Sequence, residues 1–438
     1  MKVTITKSQL SQIPLLSGIC SNRSPLPILS NLLIQADNHL ITITATDLQV
    51  GAQLSIDADI SIGDKSICAN IEEPGAVCIN GSKLAEIIKL LGDSNDTVVS
   101  LSGDYSRVHV SDFGGNTSFK LPALDPADFP AFPSSDQLEW KEESTSTIIK
   151  HYFRILYAAS SDDSRFNLNG VFYTPYKDGH CLVATDGHRL ALQRIDNYPF
   201  GDAKLLLPKY SADFIKKTLI GSKQSTCKLS TDSKQLFVSV GNLFVSARLL
   251  DGDFPDFTKV IADISSARKL TIIKDQLMSA VKRASLVTMD RSRGLLFSVS
   301  SQKGIVLSAT TEIGSSEETM STEYQGEPFD FVVNSVYLQD ALNAIDGNTI
   351  NMLYTGESKP ITIEVDGVDD YFSIVIANEE VADIRTRVGA TIAFSGACSL
   401  MSRHPYACGS DTVGSHVQVY PTQTSVRVWE RRIKPRKV

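Results

Sequence analysis

One order of elements recurs three times along the 438 residues, and this internal repeat limits the possible folds more than any other feature. Each copy has two strands rich in β-branched and aromatic residues around a short turn, then a helical segment and a closing pair of strands. The leading strand pairs end at Thr46, Thr185 and Thr310, which are 139 and 125 residues apart. Units of this length are whole domains rather than the short repeats of a solenoid.

The helical segments repeat in the same register. Apolar residues at i, i+3, i+4 and i+7 form one stripe along a helix in the first and third copies. The second copy keeps this spacing, but its stripe is less apolar. The stripes are Leu84, Ile87, Ile88 and Leu91, then Ala212, Ile215, Lys216 and Leu219, then Leu338, Ala341, Leu342 and Ile345. Each copy is also predicted to open with a helical stretch, at 7–20, 146–160 and 272–286.

These patterns predict an α+β fold of three structurally similar domains, each with two helices on one side of antiparallel sheets. We expect the domains at 1–133, 145–260 and 268–376, and we assign the extra length of the first copy to an insertion within 57–75. Three domains in a row can form an arc, and symmetric dimerisation can close such an arc.

Residues 377–438 repeat nothing, and we expect an atypical, flexible, basic extension there. Nine basic residues stand against three acidic ones from 381 onward, a net charge of +6. A nucleic-acid-binding arm, an uninformative disordered extension and a change of reading frame all fit this composition, and we favour the last two.

Charge is concentrated in the predicted helices. The windows 7–23, 82–91, 146–160, 209–220, 272–286 and 335–345 hold twelve basic and four acidic residues, +8 in a chain whose net charge is −8. Lys-rich solvated helix faces are one explanation. The other is a basic helical surface that meets phosphates without reading bases, on an otherwise acidic protein.

Several classes of protein are excluded or disfavoured by the sequence. No apolar run is long enough to span a membrane, and seven cysteines without a CxxC pair fit a reducing cytoplasm. Phosphate-loop, GxGxxG, HExxH and GxSxG motifs are absent from the sequence, so we expect no enzymatic activity and no cofactor. The spacing of Cys398, His404, Cys408 and His416 is unlike that of familiar zinc sites, so we expect no metal.

Several motifs, in order, resemble those of the bacterial DNA polymerase III β subunits, the sliding clamps. They lie at 25–33, 46–48, 121–123 with 128–130, 184–191 and 250–257, and the resemblance runs from residue 1 to about 376. It implies a DNA clamp fold whose arc closes into a six-domain ring as a head-to-tail homodimer around duplex DNA. The implied partners are double-stranded DNA, the DNA polymerase III α subunit, the clamp loader and other clamp-motif proteins.

The resemblance, together with the helix charge, implies a set of residues that face DNA. Arg23 resembles a clamp arginine that reaches the DNA, although a solvated loop charge explains it equally well. The full set is Arg23, Lys83, Lys89, Lys150, Arg154, Lys209, Lys216, Lys217, Lys274 and Lys282.

The resemblance also implies a partner-peptide pocket between the second and third domains, in which apolar walls receive Leu or Phe anchors. Its residues here are Arg165, Leu168, Thr185, Gly187, His188, Arg189, Leu190, Pro255, Val260, Asn334, Tyr337, Ile374 and Ile376. On its own, Asp186-Gly187 indicates a tight turn first of all. Two departures from the family are Lys259, where clamps often carry Arg, and the chain after Ile376.

For the dimer contact, the resemblance implies that Leu286 and Val287 face an edge strand of the first domain around Arg107 and Val108. Core packing is the alternative for these apolar residues. The favoured function is a non-catalytic processivity factor that tethers the replicative polymerase to DNA. The rival is a triplicated clamp-like scaffold that binds protein partners without encircling DNA.

Overall fold

The computed structural model describes residues 1–20, 25–37, 39–58, 69–91, 98–112, 117–196, 199–261, 263–288, 293–356 and 359–376. The chain divides into two units, 1–389 and 390–438, and every described residue belongs to the first. The predictions for Arg23, for most of the insertion within 57–75 and for the extension 377–438, including its Cys/His set, lie outside the described residues.

The first domain has nine strands and two helices among its described residues. They are β1 (Lys2–Thr6), α1 (Ile13–Ser17), β2 (Asn31–Ala36), β3 (Leu40–Thr46), β4 (Val50–Asp57), β5 (Asn70–Glu73), β6 (Gly75–Asn80), α2 (Gly81–Leu90), β7 (Val98–Gly103), β8 (Arg107–Asp112) and β9 (Ser118–Leu124).

The second domain repeats this order without a counterpart of β5. Its elements are β10 (Lys141–Ser144), α3 (Thr145–Thr147), a π-helical turn (Ile148–Tyr152), β11 (Gly170–Tyr176), β12 (Gly179–Thr185), β13 (Arg189–Ile195), β14 (Leu205–Pro208), α4 (Lys209–Ser222), β15 (Thr226–Thr231), β16 (Gln235–Val240) and β17 (Leu243–Arg248).

The third domain has the same order again. Its elements are β18 (Arg268–Ile273), α5 (Lys274–Ala284), β19 (Gly294–Ser300), β20 (Gly304–Thr311), β21 (Gly314–Met320), β22 (Phe329–Asn334), α6 (Ser335–Asn343), β23 (Thr349–Tyr354), β24 (Ile361–Val365) and β25 (Val368–Val375). Short 3₁₀ turns lie at Pro27–Ser30, Pro126–Asp128, Leu156–Ala158, Asp163–Leu168, Phe257–Lys259 and Ser285–Val287.

The second helix of each copy forms where the apolar stripes predict it. Leu84 and Leu338 are fully buried at the centres of α2 and α6. Asn80 and Asn334 cap these two helices, since each side-chain oxygen accepts a hydrogen bond from a backbone N–H in the first turn. These three-turn helices therefore begin at a cap and are held by one buried face.

The opening helices differ more from the prediction. The stretch at 272–286 is confirmed by α5, but 7–20 is wrong beyond the short helix α1. Thr6 and Gln9 exchange side-chain hydrogen bonds with each other's backbone N–H, and such local bonds compete with a helix. The stretch 146–160 is broken into α3, the π turn and a 3₁₀ turn, where Ile148 and Tyr152 are both buried.

Strands of neighbouring domains join into continuous sheets. The last strand of the second domain, β17, pairs antiparallel with β4 of the first, and β25 of the third pairs antiparallel with β13 of the second. A 13-stranded sheet, an 8-stranded sheet and a 4-stranded sheet result. In both junctions the last strand of one copy pairs with the fourth strand of the preceding copy.

The same two strands are left with open edges at the two ends of the repeat. Among the described strands, β21 pairs only with β20. β9 pairs with β8 along its length and touches β6 only at Ala123 and Leu124. An unpaired edge offers its N–H and C=O groups to another strand.

Residues of β12 and β13 are buried on both faces of their sheet. Leu182 and Ala191 belong to the main core, while Cys181 and Leu190 belong to a smaller apolar cluster with Phe257, Phe372 and Ile374. Both faces are therefore covered where the second and third domains meet. Within the described part of the chain, none of the helices is both long and apolar enough to cross a bilayer.

Candidate functional site

The loop between β12 and β13 is held rigidly by its own polar side chains. The Thr185 hydroxyl donates to the Arg189 carbonyl at 2.6 Å and accepts from the Gly187 N–H at 3.1 Å. Asp186 Oδ1 accepts from the N–H groups of His188 and Arg189 at 2.9 and 3.0 Å. Gly187 has φ +87°, a conformation that glycine adopts at no steric cost. The Asp-Gly turn therefore exists, and it presents His188 to solvent.

Arg189 leaves this loop inward and joins the second domain to the third. Only 9% of its surface is exposed. Its Nε donates to Asp186 Oδ2 at 2.9 Å and its Nη1 to Asp340 Oδ2 at 2.6 Å, on helix α6. The guanidinium lies 4.6 Å from the centroid of the Tyr337 ring, within cation–π range. A largely buried arginine charge is thus compensated from both domains.

His188 and Tyr337 place two rings beside each other across the domain boundary. Their centroids are 6.3 Å apart and their planes 20° from parallel. Burial raises the pKa of Tyr337. Asn334 Oδ1 accepts from the N–H groups of Val336 and Tyr337 as the cap of α6, so this oxygen has a structural role.

The end of β25 closes another side of the site. Ile374 is opposite Leu190, and both are buried in the small apolar cluster, against which Val260 packs. The N–H of Ile376 donates to the carbonyl of His188 at 3.0 Å. Despite the altered sequence that follows, the chain reaches the site as far as Ile376.

Arg165 and Leu168 come from the 3₁₀ turn before β11. Arg165 Nη1 donates to the Asp186 carbonyl at 3.2 Å, and Asn167 Nδ2 donates to the Asp253 carbonyl at 3.4 Å, near Pro255. These contacts gather ten of the predicted pocket residues around one loop and the adjoining end of β25: Arg165, Thr185, Gly187, His188, Arg189, Leu190, Val260, Tyr337, Ile374 and Ile376. Of all the predicted pocket residues, the exposed ones are Arg165, Gly187, His188, Pro255 and Ile376; half-buried ones are Leu168, Thr185, Val260, Asn334 and Tyr337; buried ones are Arg189, Leu190 and Ile374.

Three residues of this region were not predicted from the sequence. Asp340 holds Arg189, and the Tyr157 hydroxyl donates to Ser373 Oγ at 2.8 Å across the same boundary. Phe166 is an exposed aromatic ring beside the backbone of Gly252. An Asp on a helix or an aromatic residue in a turn carries no sequence signal that separates it from its neighbours.

The basic helix residues fall into two groups. Lys83, Lys150 and Lys217 have acidic partners in Glu86, Asp346 and Asp213 at 2.8, 3.8 and 2.6 Å. For Lys89, Lys216 and Lys282 no ion pair is found within the described ranges. Such solvated pairs contribute little to stability, so all six remain able to meet a polyanion.

The remaining basic residues bind carbonyl groups of the protein. Lys209 Nζ donates to the Ala159 carbonyl at 2.7 Å, and burial lowers the pKa of this lysine. Lys274 Nζ donates to the Ile345 carbonyl at 2.8 Å, just beyond the end of α6. Cations at this end of a helix are stabilised by its dipole.

Arg154 is bound by groups of the third domain. Its Nε donates to the Ala344 carbonyl at the end of α6 at 2.7 Å, and its guanidinium lies 4.0 Å from the centroid of the Tyr371 ring. Both contacts belong to the third domain, so this arginine ties the second and third domains together, and its contact with DNA stays a prediction.

The residues predicted for the dimer contact differ in their exposure and in their place in the sheet. Leu286 is 72% exposed, and Val287 is half-buried. Arg107 and Val108 lie on β8, which has β7 on one side and β9 on the other, and Val108 is fully buried. β8 is therefore not an edge strand, whereas β9, next to it, has an open edge over residues 118–122 among the described strands.

Comparison with known proteins matches all three domains to one family. Models of the N-terminal, central and C-terminal domains of the DNA polymerase III beta subunit match residues 1–133, 143–256 and 264–379. A beta sliding clamp of Caulobacter vibrioides is 28% identical over 376 residues, 84% of this chain and 97% of that protein. One of Staphylococcus aureus is 26% identical over 359 residues, 81% of this chain and 93% of that protein.

Solved structures share the fold. The DnaN sliding clamp of Bartonella birtlesii, bound to griselimycin, is 26% identical with a TM-score of 0.78, over 86% of this chain and 99% of that one. The polymerase III beta structure from Caulobacter crescentus is 27% identical with a TM-score of 0.76, over 86% of this chain and 100% of that one. The predicted α+β fold of three similar domains is confirmed.

Proposed function

This chain belongs to the DNA polymerase III beta subunit family, the beta sliding clamps, and we propose that two copies close head to tail into a ring around duplex DNA. As a processivity factor the ring tethers the replicative polymerase, and it catalyses no reaction itself. The observation that carries this proposal is the pair of open strand edges, β9 and β21, at the two ends of a chain that joins its own domains through the equivalent strands.

The two junctions inside the chain have one register. Ala247 of β17 lies opposite Val50 of β4, and Val375 of β25 lies opposite Arg189 of β13. Each closing strand also continues by one more hydrogen bond, from the Arg248 N–H at 2.8 Å in one junction and from the Ile376 N–H at 3.0 Å in the other.

The third junction, between protomers, follows from this register. Leu121 of β9 occupies the position of Ala247, because two residues later the N–H groups of Ala123 and Leu249 donate to equivalent carbonyls, Ser106 and Lys234. By the hairpin register, Gly314 of β21 corresponds to Val50 and Arg189. We therefore place Leu121 opposite the partner's Gly314.

Apolar exposure at the two open ends supports this pairing. Leu286 corresponds in position to Tyr157, whose hydroxyl bonds Tyr371 and Ser373 across the junction of the second and third domains. In the ring Leu286 meets the strand β9, whose Phe119 and Leu121 are only half-buried in the described chain. Arg107 and Val108 are replaced in the interface by these two residues.

The basic helix residues supply contact with DNA that does not depend on sequence. Lys83, Lys89, Lys216, Lys217 and Lys282 stand on helices with their ammonium groups in solvent or in exposed pairs. Phosphate contacts of this kind hold a duplex without gripping bases, which allows sliding.

The partner-peptide pocket accepts a short extended motif with apolar anchors. The Val260, Leu190 and Ile374 side chains form one apolar cluster, and His188 with Tyr337 forms an aromatic wall. Arg189 serves as a fixed support of that wall, since its charge is already paired. Aromatic and apolar pockets of this type carry most of the energy of peptide binding.

The ring is tested on DNA topology. Protein loaded onto nicked circular DNA by a clamp loader should stay bound through gel filtration and be released when the circle is cut. Retention that does not depend on circularity, or no retention at all, would instead favour a scaffold that binds protein partners only. Sedimentation equilibrium must in addition show a dimer at micromolar concentration.

A further inference from the structure

Arg154 of the second domain and Arg283 of the third form a pair that the internal repeat makes comparable. Arg154 lies nine residues after Thr145, where α3 begins, and Arg283 lies nine residues after Lys274, where α5 begins. Thr145 and Lys274 make equivalent backbone hydrogen bonds. Each N–H donates to the carbonyl of the residue just before a strand, which is β15 for Thr145 and β23 for Lys274. Arg154 and Arg283 are therefore the same position in two copies.

Their partners are also at one position. Gln193 lies opposite Leu182 in the β12–β13 hairpin, and Glu318 lies opposite Leu307 in the β20–β21 hairpin. Leu182 and Leu307 are 125 residues apart, the spacing of the two repeats themselves. Arg154 Nη1 donates to Gln193 Oε1 at 3.4 Å, whereas Arg283 donates from Nε and Nη2 to Glu318 at 3.2 and 2.5 Å.

The copy inside the chain shows what this arginine does when a domain is docked on it. Arg154 donates to the Ala344 carbonyl at the C-terminal end of α6 and lies over the Tyr371 ring. Gln193 is fully buried and donates to the Asp370 carbonyl. Both residues of the pair thus contact the domain that follows.

The equivalent pair in the third domain, Arg283 and Glu318, has no further domain docked on it among the described residues. Arg283 and Glu318 line an open groove of about 550 Å³ between α5 and β21. With Nε and Nη2 on the carboxylate, Nη1 still has two hydrogens to donate.

The matching surface lies at the other end of the chain. Asn80 and Asn334 are equivalent helix caps, so the end of α2 at Leu90 corresponds to Ala344 at the end of α6. Leu90 is 81% exposed, more than any other large apolar side chain in the described ranges. Carbonyls at a helix C-terminus attract cations.

We propose that Arg283, oriented by Glu318, docks on the C-terminal carbonyls of helix α2 in a second copy of this chain, as Arg154 docks on α6. Arg283 is the residue that contacts the partner, and Glu318 is a positioning residue that fixes the guanidinium. This inference rests on the ring proposed above and adds the side chains that select its closing geometry.

The first test compares dimer dissociation constants by sedimentation for Arg283→Gln and Lys282→Gln, two neighbours on α5 with the same charge change. Arg283→Gln should weaken the dimer by about tenfold or more, as expected when a hydrogen bond to a charged group is removed. Lys282→Gln should stay within about twofold of the wild type, because Lys282 has no role in this contact. Equal effects of the two variants would overturn the proposal.

The second test separates positioning from folding. Glu318→Ala should weaken the dimer. Glu318→Gln should keep the dimer close to the wild-type affinity, because a glutamine, Gln193, holds the equivalent arginine, Arg154, in the second domain. Monomer melting temperatures of all variants should agree with the wild type. A dimer unaffected by Glu318→Ala would refute the role of Glu318. A wild-type chain that stays monomeric would refute the ring itself, which distinguishes the two failures.

Discussion

Arg189 of the second domain and Asp340 of the third are joined through Nη1 and Oδ2 at 2.6 Å, beneath the aromatic wall of the proposed partner-peptide pocket. The arginine is almost buried, and its second carboxylate, Asp186, belongs to the loop that presents His188. The shape of the pocket and the docking of two domains therefore depend on the same guanidinium. A buried arginine that loses one of its partners retains an uncompensated charge, which is costly.

Asp340→Asn should loosen the hold on Arg189, which supports the aromatic wall, and should therefore weaken partner-peptide binding. Asparagine keeps the size of the side chain but removes the charge that faces Arg189, so a clamp-motif peptide should bind about threefold to tenfold more weakly. Fluorescence anisotropy with a labelled peptide measures this. Asp346→Asn is the control, because its exposed contact with Lys150 is 3.8 Å long and lies outside the pocket. Equal affinities of the two variants would show that the Arg189–Asp340 pair does not shape the pocket.

His188→Ala should weaken the same peptide with little effect on folding. The His188 side chain is exposed, and only its backbone takes part in the hydrogen bonds of the loop. Loss of one aromatic wall should reduce affinity by about tenfold, while the melting temperature stays near that of the wild type. Unchanged affinity would reject the pocket assignment.

Asn334→Asp separates helix capping from peptide contact. The Oδ1 that caps α6 is retained in aspartate, so the stability of the third domain should be kept. The side-chain N–H₂ is removed, and peptide affinity should fall if that group holds the peptide backbone. Asn80→Ala is the comparison for capping alone: it should cost about 1 kcal/mol of stability in the first domain and leave peptide binding intact. If Asn334→Asp binds the peptide with wild-type affinity, Asn334 acts only as the cap of α6.

The pocket loop and the helices α2 and α6 were largely predictable from the sequence. The turn at Asp186-Gly187 follows from local chemistry, and α2 and α6 follow from one apolar stripe each; their Asn caps were seen only in the structure. These features depend on residues close together in the chain. Local pattern is sufficient for them because their hydrogen bonds are local as well.

Contacts across domain boundaries were not predictable. A Lys or Arg on a polar helix face has the same pattern whether it meets solvent or a carbonyl, so the docking of Arg154 on Ala344 carried no signal. Alternation along β8 and β9 sets which side chains are buried, but it does not show which strand lies at the edge. The sequence therefore placed the open edge at β8, whereas the structure has it at β9, and the dimer contact itself stays a prediction.

Stability should fall as the pH rises above about 9, because four thiols ionise more easily in the unfolded chain. Burial raises the pKa of Cys20, Cys78 and Cys181 to about 12 and that of Cys227 to about 11, from 9.0. Above pH 9 the unfolded chain therefore binds fewer protons than the folded one, and stability falls by about 1 kcal/mol per thiol at pH 10. Urea midpoints at pH 7.5 and pH 10 measure this. Cys181→Ala should show a shallower decline; an identical decline would assign the effect to other groups.

Direct association with primed DNA should weaken steeply with salt, and the slope should depend on the helix lysines that have no acidic partner among the described residues. In the variant with Lys89, Lys216 and Lys282 all changed to Gln, the slope of log K against log salt should fall by about one for each phosphate that is no longer neutralised. Lys303→Gln serves as the control, since Lys303 is exposed in the turn between β19 and β20 and is not among the residues predicted to face DNA. Dimer formation should be the same in all of these proteins, because none of the four residues lies on β9, β21 or the Arg283 groove. A triple variant with the wild-type slope would remove these lysines from the DNA-facing set and leave Lys83, Lys150 and Lys217 as the residues to test.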